Sequence, residues 1–489
     1  MAIEGLTSHY NDKANWTAFH ALSEEQCEIV IENALKIIEE IGLKSNPTIC
    51  EHFKNIGTVE GDIVKLPRQV IIDSINSAPS HIDIYDRKGN KVIDLGGSNS
   101  YYGMGPTNPF FYDFETRERR RAVLADCAAA AKVADALPEF DFLMSLSDIA
   151  DKPAELNDLW TVRAMLENST KPIVGLPLNV TTLEEVAELV AAAHGCWDKY
   201  YEKPSWVLLN GETSTPLCTE EEENTAKIFF AADKNIPQCN ISYIQLGSVA
   251  PVVLASAIEL AIAENLFLLA ISQTYKPGAP AFCSLISGTF DMRTTRTCYG
   301  TPEHCLCEAA GADVFHYLDL PTLGTGGAVS SKFVDEQLAI EQSMTILMSG
   351  LDGGNLIHNV GFMEDGLVSH LDSLTMANEI IGYSRRIRRG ILFDDETTSI
   401  ETIAEIGHGG EYMTADQTFD YFEDEVWYPE LIDRGSYSKW LAGDQRTFNE
   451  RLHAKTAHIL ETHPDVEFAP EIVAEMDRIC DAAMKRVGA

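Results

Sequence analysis

Between residues 121 and 391, short apolar runs alternate with helical stretches of about 12 to 20 residues, and this alternation limits the fold more than any other feature. The runs lie at 142–145, 172–175, 206–210, 239–242, 282–286, 313–316, 321–324 and 355–358. Each is bounded by turn residues, and most lead into a helix. Buried parallel strands read in this way, as short continuous apolar runs rather than alternating ones. About eight such units over some 250 residues predict an α/β chain built on a (β/α)8 TIM barrel. A doubly wound open sheet is the alternative, weakened because no GxGxxG opens a helix after a strand.

The flanks have a different texture. Ser23-Glu24-Glu25-Gln26 forms a capping box, followed by an apolar stripe at Val30, Ile31, Ala34, Leu35, Ile38 and Ile41 that stops at Gly42. Segments 82–85 and 91–95 flank Arg87-Lys88-Gly89-Asn90 and read as a hairpin. Residues 1–120 are therefore taken as an N-terminal α+β elaboration and 121–391 as the barrel. Residues 392–489, acidic and aromatic with Trp427, Tyr428, Tyr437 and Trp440, are taken as a helical C-terminal extension packed on the barrel.

Charge and cysteine content narrow the function classes. A formal net charge of −38 argues against nucleic acid and anionic membrane as partners. The longest apolar region, 249–272, is interrupted by Glu259 and Glu264, the pattern of a buried helix rather than a membrane span. The first residues show no basic region followed by an apolar one, so no signal peptide is expected. Eleven cysteines are scattered without a CxxC, which predicts neither a disulfide framework nor a structural zinc site and fits a reduced, cytoplasmic protein. A homo-oligomer is compatible with this size.

In a barrel the working face lies at the carboxyl ends of the strands. The residues predicted there are Asn210 with Glu212, Tyr243 with Gln245, Ser287 with Asp291 and Arg293, His316, the glycines of 324–327, and His358 with Asn359. His358 is the strongest candidate: a helical run ends at Gly353-Gly354, a short apolar run follows, and Gly361 bends the chain away. Upstream, residues 100–112 form a glycine-punctuated aromatic loop containing Tyr102, Thr107, Asn108 and Phe110. Aromatic faces with few carboxylates and no phosphate cradle suit a small organic cation, although ordinary packing explains the same aromatics equally well. Gly324-Thr325-Gly326-Gly327 lacks the lysine of a P-loop, and no serine sits in a GxSxG elbow. A catalytic zinc held by Glu212, Cys239 and His358 remains an alternative.

Four motifs then appear in one consistent order along nearly the whole chain. They are Tyr102-Gly103-Met104-Gly105 running on to Arg119-Arg120; Asp291-Met292-Arg293-Thr294 with Tyr299-Gly300-Thr301-Pro302-Glu303; Gly354-Asn355-Leu356-Ile357-His358-Asn359-Val360-Gly361-Phe362 with Glu364; and Trp427-Tyr428-Pro429-Glu430-Leu431. Together these resemble the trimethylamine methyltransferase superfamily. Thr215-Pro216-Leu217 is similar to that family's strand-end Ser-Pro-Leu. The resemblance implies a barrel enzyme that passes a methyl group from an amine to the cobalt of a separate, methyl-accepting corrinoid protein. No cofactor would be bound tightly by the chain itself; the corrinoid (cobalamin-type) group belongs to the partner. The sequence contains no non-standard residue, so it resembles the branch without pyrrolysine, which is associated with quaternary amines such as glycine betaine, proline betaine, carnitine and γ-butyrobetaine.

The chemistry fits that branch. A quaternary ammonium already carries a neutral tertiary amine as its leaving group, so Co(I) attacks the methyl directly and the protein has chiefly to position it. Because charge on nitrogen disappears in the transition state, close carboxylates would stabilise the wrong state. The roles this implies are His358 and Asn210 holding a substrate carboxylate, with Glu212 as a third catalytic residue and Tyr102, Phe110 and Tyr243 facing the ammonium. Thr107, Asn108, Tyr299, His316 and Glu364 complete the expected substrate site. Two departures stand out. Pro106-Thr107-Asn108 replaces an acidic position found in glycine betaine users, which directs the reading toward a bulkier or differently anchored betaine, and Gln417-Thr418 replaces an expected His-Thr near the mouth rim or the corrinoid-protein contact. The competing functions are a zinc-activated methyltransferase acting on a thiol or alcohol, and a non-catalytic betaine-binding protein.

Overall fold

Eight parallel strands close into a ring in this computed structural model, which describes residues 3–10 and 16–488 and, of Glu212 and Thr213, the backbone only. The strands are β1 (Tyr101–Met104), β2 (142–143), β3 (Ile173–Gly175), β4 (Trp206–Thr213), β5 (Gln238–Leu246), β6 (Ala281–Asp291), β7 (Thr322–Thr325) and β8 (Leu356–Val360). The order β1-β8-β7-β6-β5-β4-β3 is continuous. Bridges Gly103↔Phe142 and Leu143↔Ile173 place β2 between β1 and β3 and complete the circle. Helices α1 (Leu124–Ala136), α2 (Asn157–Asn168), α3 (Val180–Ala193), α4 (Glu222–Lys234), α5 (Leu254–Tyr275), α6 (Pro302–Tyr317), α7 (Glu336–Leu351) and α8 (Leu371–Arg389) follow the strands in turn. This is the (β/α)8 barrel expected from the alternation.

Two expected elements are corrected. Residues 313–316 are the last turn of α6, not a strand. The first strand is 101–104, so the barrel begins inside the stretch assigned to the N-terminal elaboration, upstream of residue 121. Gly103 was read as loop punctuation. It belongs to a strand because a Cβ there would lie 2.3 Å from the Phe142 ring, so only glycine permits the β1–β2 approach.

The barrel interior is an apolar layer that includes Phe142, Val207, Leu209, Cys239, Phe282 and Leu356. Its floor is the predicted hairpin, Ile82–Tyr85 with Lys91–Leu95, whose Ile82, Ile84, Ile93 and Leu95 join that layer. Backbone bonds from Tyr85 to Pro204 and from Arg87 to Thr170 fasten the hairpin beside the starts of β4 and β3. Helix starts at the opposite end are capped by Asn179, Thr301, Asp335 and His370, which fixes the loops around the mouth. The N-terminal helix Glu24–Lys36 begins with the predicted Ser23/Gln26 capping box.

Helix α5 is long and apolar enough to cross a membrane, but most of it is buried against the sheet. Its two acids have partners inside the protein: Glu264 accepts from the Ser242 hydroxyl (2.6 Å) and the Leu217 N–H (2.8 Å), and Glu259 from Asn33 (2.7 Å).

Beyond the barrel come α9 (Ile400–Ile406), α10 (Asp416–Glu425), α11 (Tyr437–Ala442), α12 (Phe448–Thr462) and α13 (Pro470–Val487). Helices α12 and α13 bury Ile459, Met476, Ile479 and Ala483 in the main core. No residue of α9, α10 or α11 is buried.

Candidate active site

His358 stands at the carboxyl end of β8, in register with Thr325 of β7. Leu356, two positions earlier, faces the barrel interior, so strand alternation turns His358 inward as well. Its Nδ1 lies 2.8 Å from the Gly324 carbonyl oxygen. A carbonyl only accepts, so Nδ1 carries the proton and Nε2 presents a lone pair. Burial pulls the imidazole pKa down to about 4, so the ring is neutral at physiological pH. In this state Nε2 is an acceptor, not the donor that the expected hold on a substrate carboxylate needs. It offers instead a partial negative charge without a formal one.

The sign of the shift gives a test. The folded state favours the neutral ring, so protonation opposes folding increasingly as pH falls from about 6.5 toward 4, and is absent above that window. Nitrogen NMR of the labelled protein is expected to show Nδ1 protonated and Nε2 bare from about pH 8 down to about pH 5. A folded-state titration near 6.5 would contradict the burial argument.

Around His358 the structure gathers other groups. Tyr243, on β5, lies beside Tyr299, and burial raises both phenols. The Tyr299 N–H donates to Asp365 (3.0 Å), which also accepts from Ser330 Oγ (2.6 Å); burial raises the Asp365 carboxyl. The Thr325 hydroxyl is buried with no hydrogen-bond partner among the described residues. Tyr243, Tyr299 and His358 are thus the predicted residues that this end of the barrel brings together. Thr107 is exposed on the loop leaving β1, its N–H 3.4 Å from Ser145 Oγ.

Other assignments are corrected by the direction of the side chain. Asn210 is buried outside the strand ring, its amide donating to the Asn224 carbonyl of α4 and to Asn240 Oδ1 (both 3.0 Å). Tyr102 likewise points into the helix layer, its hydroxyl 3.5 Å from the Ile346 carbonyl of α7. Phe110 has its face covered by the Arg119 guanidinium at 3.8 Å. Arg119 also pairs with Glu364 (2.9 Å), with Arg296 4.0 Å away, so Glu364 is already neutralised. Asn108 spends its amide on Ser369 Oγ (2.6 Å) and the Val368 carbonyl (3.2 Å), tying the β1 loop to the one after β8. His316, in the last turn of α6, lies at the opposite end of the barrel, beside a cavity of about 280 Å³ lined by Trp16, Ser98 and Leu320. Glu212 lies in β4, and its side chain is outside the described residues. Asp291 and Arg293 close a hairpin turn, the Arg293 N–H donating to Asp291 (2.7 Å).

The zinc set does not converge. Cys239 lies in the apolar interior four positions below Tyr243, roughly 13 Å down the strand from the mouth. Among the described residues, no three His, Cys, Asp or Glu side chains group as a metal site.

Two residues missed from the sequence sit behind the mouth. Glu308 of α6 reaches between β6 and β7, accepting from the Ser287 N–H (3.0 Å), the Ser287 hydroxyl (3.1 Å) and the Thr325 N–H (3.1 Å). His304, one turn earlier, lies against the Ser287 carbonyl (2.9 Å) and edge-on to Tyr299. Burial raises the Glu308 carboxyl and lowers the His304 imidazole, the latter to about 4. Their spacing of four on a helix that follows a predicted strand was the available signal. The mouth rim itself carries exposed Leu178, Val252, Val253, Met292 and Phe333 on the loops after β3, β5, β6 and β7.

The family model described as "Trimethylamine methyltransferase (MTTB)" matches residues 6–487. Glycine betaine methyltransferase of Desulfitobacterium hafniense (strain Y51) is 29% identical, with 96% of this chain and 98% of that protein covered. Trimethylamine methyltransferase MttB of Methanosarcina barkeri is 25% identical, with 99% of each chain covered. Among solved structures, the hydroxylamine complex of MtmB superposes with a TM-score of 0.52 at 11% identity, covering 96% of this chain and 91% of that one. Monomethylamine methyltransferase (MtmB) of Methanosarcina barkeri superposes with a TM-score of 0.50 at 10% identity, covering 100% and 90%. Those two share the fold.

Proposed function

The chain belongs to the trimethylamine methyltransferase family, and from that premise we propose that it moves a methyl group from a quaternary amine, a betaine, to the Co(I) of a partner corrinoid protein. The observation that carries this reading is the neutral His358, held as an acceptor at the mouth of a closed barrel, with Tyr243 and Tyr299 nearby. Neutral lone pairs and aromatic faces orient an ammonium while adding little to its ground-state stability, which the disappearance of charge during transfer requires. The C–N bond breaks with its electron pair leaving on nitrogen, and the Co(I) pair forms the new Co–C bond. No proton moves, so the buried carboxyls need not act as acids or bases.

The betaine carboxylate is met by hydroxyl donors. Thr325, adjacent to His358 in register and without a partner among the described residues, is the first of these, and the Tyr243–Tyr299 pair the second. The rim supports a protein acceptor: five exposed apolar side chains around one opening are suited to a docked partner. The Met292→Asp/Phe333→Asp double variant is expected to slow transfer to a protein-borne corrinoid by about tenfold or more, leaving transfer to free cob(I)alamin unchanged. Equal losses with both acceptors would place these residues in folding rather than docking.

The deciding assay is anaerobic spectroscopy with a Co(I) corrinoid protein and single candidates: glycine betaine, proline betaine, carnitine, γ-butyrobetaine and trimethylamine. Growth of the methyl-Co(III) band with a betaine is the expected result. Silence with every quaternary amine, given a competent acceptor, would overturn the reading.

A further inference from the structure

Asn359 follows His358 directly, and the strand is bent so that both side chains look the same way. Ile357 and Val360 pack into the core on the helix side of the sheet, three positions apart, although residues on one face of a regular strand are an even number apart. The pairing of β8 with β1 slips between these same two residues, which marks a β-bulge over His358 and Asn359. Regular alternation would send Asn359 to the helix side with Ile357. The bulge removes it from that series and leaves it on the side of His358, at the mouth. Its backbone is fixed there: the His358 carbonyl accepts from the Gly326 N–H (3.0 Å) and the Asn359 carbonyl from the Phe362 N–H (3.1 Å).

No described residue engages the Asn359 side chain. The residue is 5% exposed, its Oδ1 is buried without a hydrogen-bond partner among the described residues, and its amide nitrogen donates to none of them. Asn108 and Asn210 also leave an oxygen unpartnered, but their nitrogens donate to Ser369 Oγ (2.6 Å) and Asn240 Oδ1 (3.0 Å). Backbone geometry does not account for the residue type. At φ 70° glycine is the unstrained choice, and an asparagine in this region usually has its side chain hydrogen-bonded. Asn235, at φ 51°, follows that pattern, its Oδ1 accepting from Lys276 Nζ (2.8 Å). A buried amide that the protein itself leaves unused points to a group from outside.

We infer that the Asn359 amide binds the carboxylate of the substrate, an inference that rests on the betaine reading above. Two consecutive residues then meet the two charges of one zwitterion. His358 Nε2, an acceptor, serves the ammonium end, and the Asn359 nitrogen offers N–H donors to the carboxylate. A neutral amide suits this place better than the cation that commonly holds a carboxylate. An arginine or lysine here would repel the ammonium, and an acid would hold it in the ground state against a transfer that removes its charge. Thr325, in register with His358 on the neighbouring strand, adds a hydroxyl to the same end of the substrate. The arrangement also selects. An amine without a carboxylate leaves the buried amide unpaired, and a site built around a hydrogen bond discriminates against ligands that cannot make it.

The test is calorimetric binding to the full chain of each candidate betaine, and of tetramethylammonium as a quaternary cation without a carboxylate. Asn359→Gly relieves the backbone, so the fold is retained, which circular dichroism checks. This variant is expected to weaken betaine binding about tenfold or more, the scale of one hydrogen bond to a charged group, and to leave tetramethylammonium unchanged. Asn359→Asp keeps the size and tolerates the same backbone, but sets a negative charge against the carboxylate. It should weaken the betaine further and tighten tetramethylammonium, opposite signs that a structural role cannot produce. Betaine affinity unchanged in both variants, or equal losses for both ligands, would overturn the inference. So would a wild type that binds no betaine. Betaine binding that responds to the variants as expected, without formation of methyl-Co(III), would overturn the transfer reading and leave the role of Asn359 standing.

Discussion

His358→Ala is expected to lower methyl transfer by about 100-fold while leaving the barrel folded, because removing a positioning group costs reaction geometry more than it costs packing. The ring's Nδ1–H is anchored to the Gly324 carbonyl, so Nε2 has a fixed direction. Truncation removes that lone pair and leaves the substrate's N–CH3 axis unguided. Single-turnover methyl-cobalt formation with the cognate betaine separates the effect from substrate affinity. His358→Gln retains an amide that can satisfy the carbonyl and present an acceptor, and it should recover part of the rate. Unchanged turnover and affinity in His358→Ala would remove the residue from the site.

Glu308→Ala is expected to destabilise the protein by about 2–5 kcal/mol, the cost of leaving a few buried donors without their acceptor. The carboxyl serves donors on two different strands, Ser287 on β6 and Thr325 on β7. Alanine would leave two backbone N–H groups unpaired in the wall, each costing about 1–3 kcal/mol before relaxation, and the Ser287 hydroxyl with His304 Nδ1 (3.0 Å) as its remaining neighbour. Glu308→Gln keeps the shape and one acceptor oxygen, so it should lose less. Chemical denaturation of both variants gives the ordering; an alanine variant as stable as wild type would mean that water replaces the carboxyl.

The barrel was legible because buried parallel strands concentrate apolar residues into short runs, and seven of the eight runs are strands. The eighth, 313–316, misled because α6 is enclosed almost all round: from Cys307 to Phe315 every residue is buried, so the helical period disappears. The same burial obscured the site. Which face of a strand looks into the barrel shows in the sequence only when one face is polar, and here both are apolar. Position along the strand placed Asn210 correctly near the mouth, but parity turned it toward α4. His358 falls on the inward parity. Its tautomer could not be read, since the atom that sets it, the Gly324 carbonyl, belongs to another strand. Phe110 and Glu364 were misjudged for a related reason: Arg119, remote from Glu364 in sequence, occupies both.

The hairpin that floors the barrel has a kinetic meaning. With Ile82, Ile84, Ile93 and Leu95 packed into the apolar layer at the strand-start end, the described residues leave no second passage along the barrel axis. In the proposed reaction, amine, acceptor and demethylated product would all use one doorway. An acceptor seated on the rim shuts the amine in and keeps a fresh one out. The proposed transfer would then have a compulsory order: amine first, acceptor second, methylated acceptor away, and demethylated amine last.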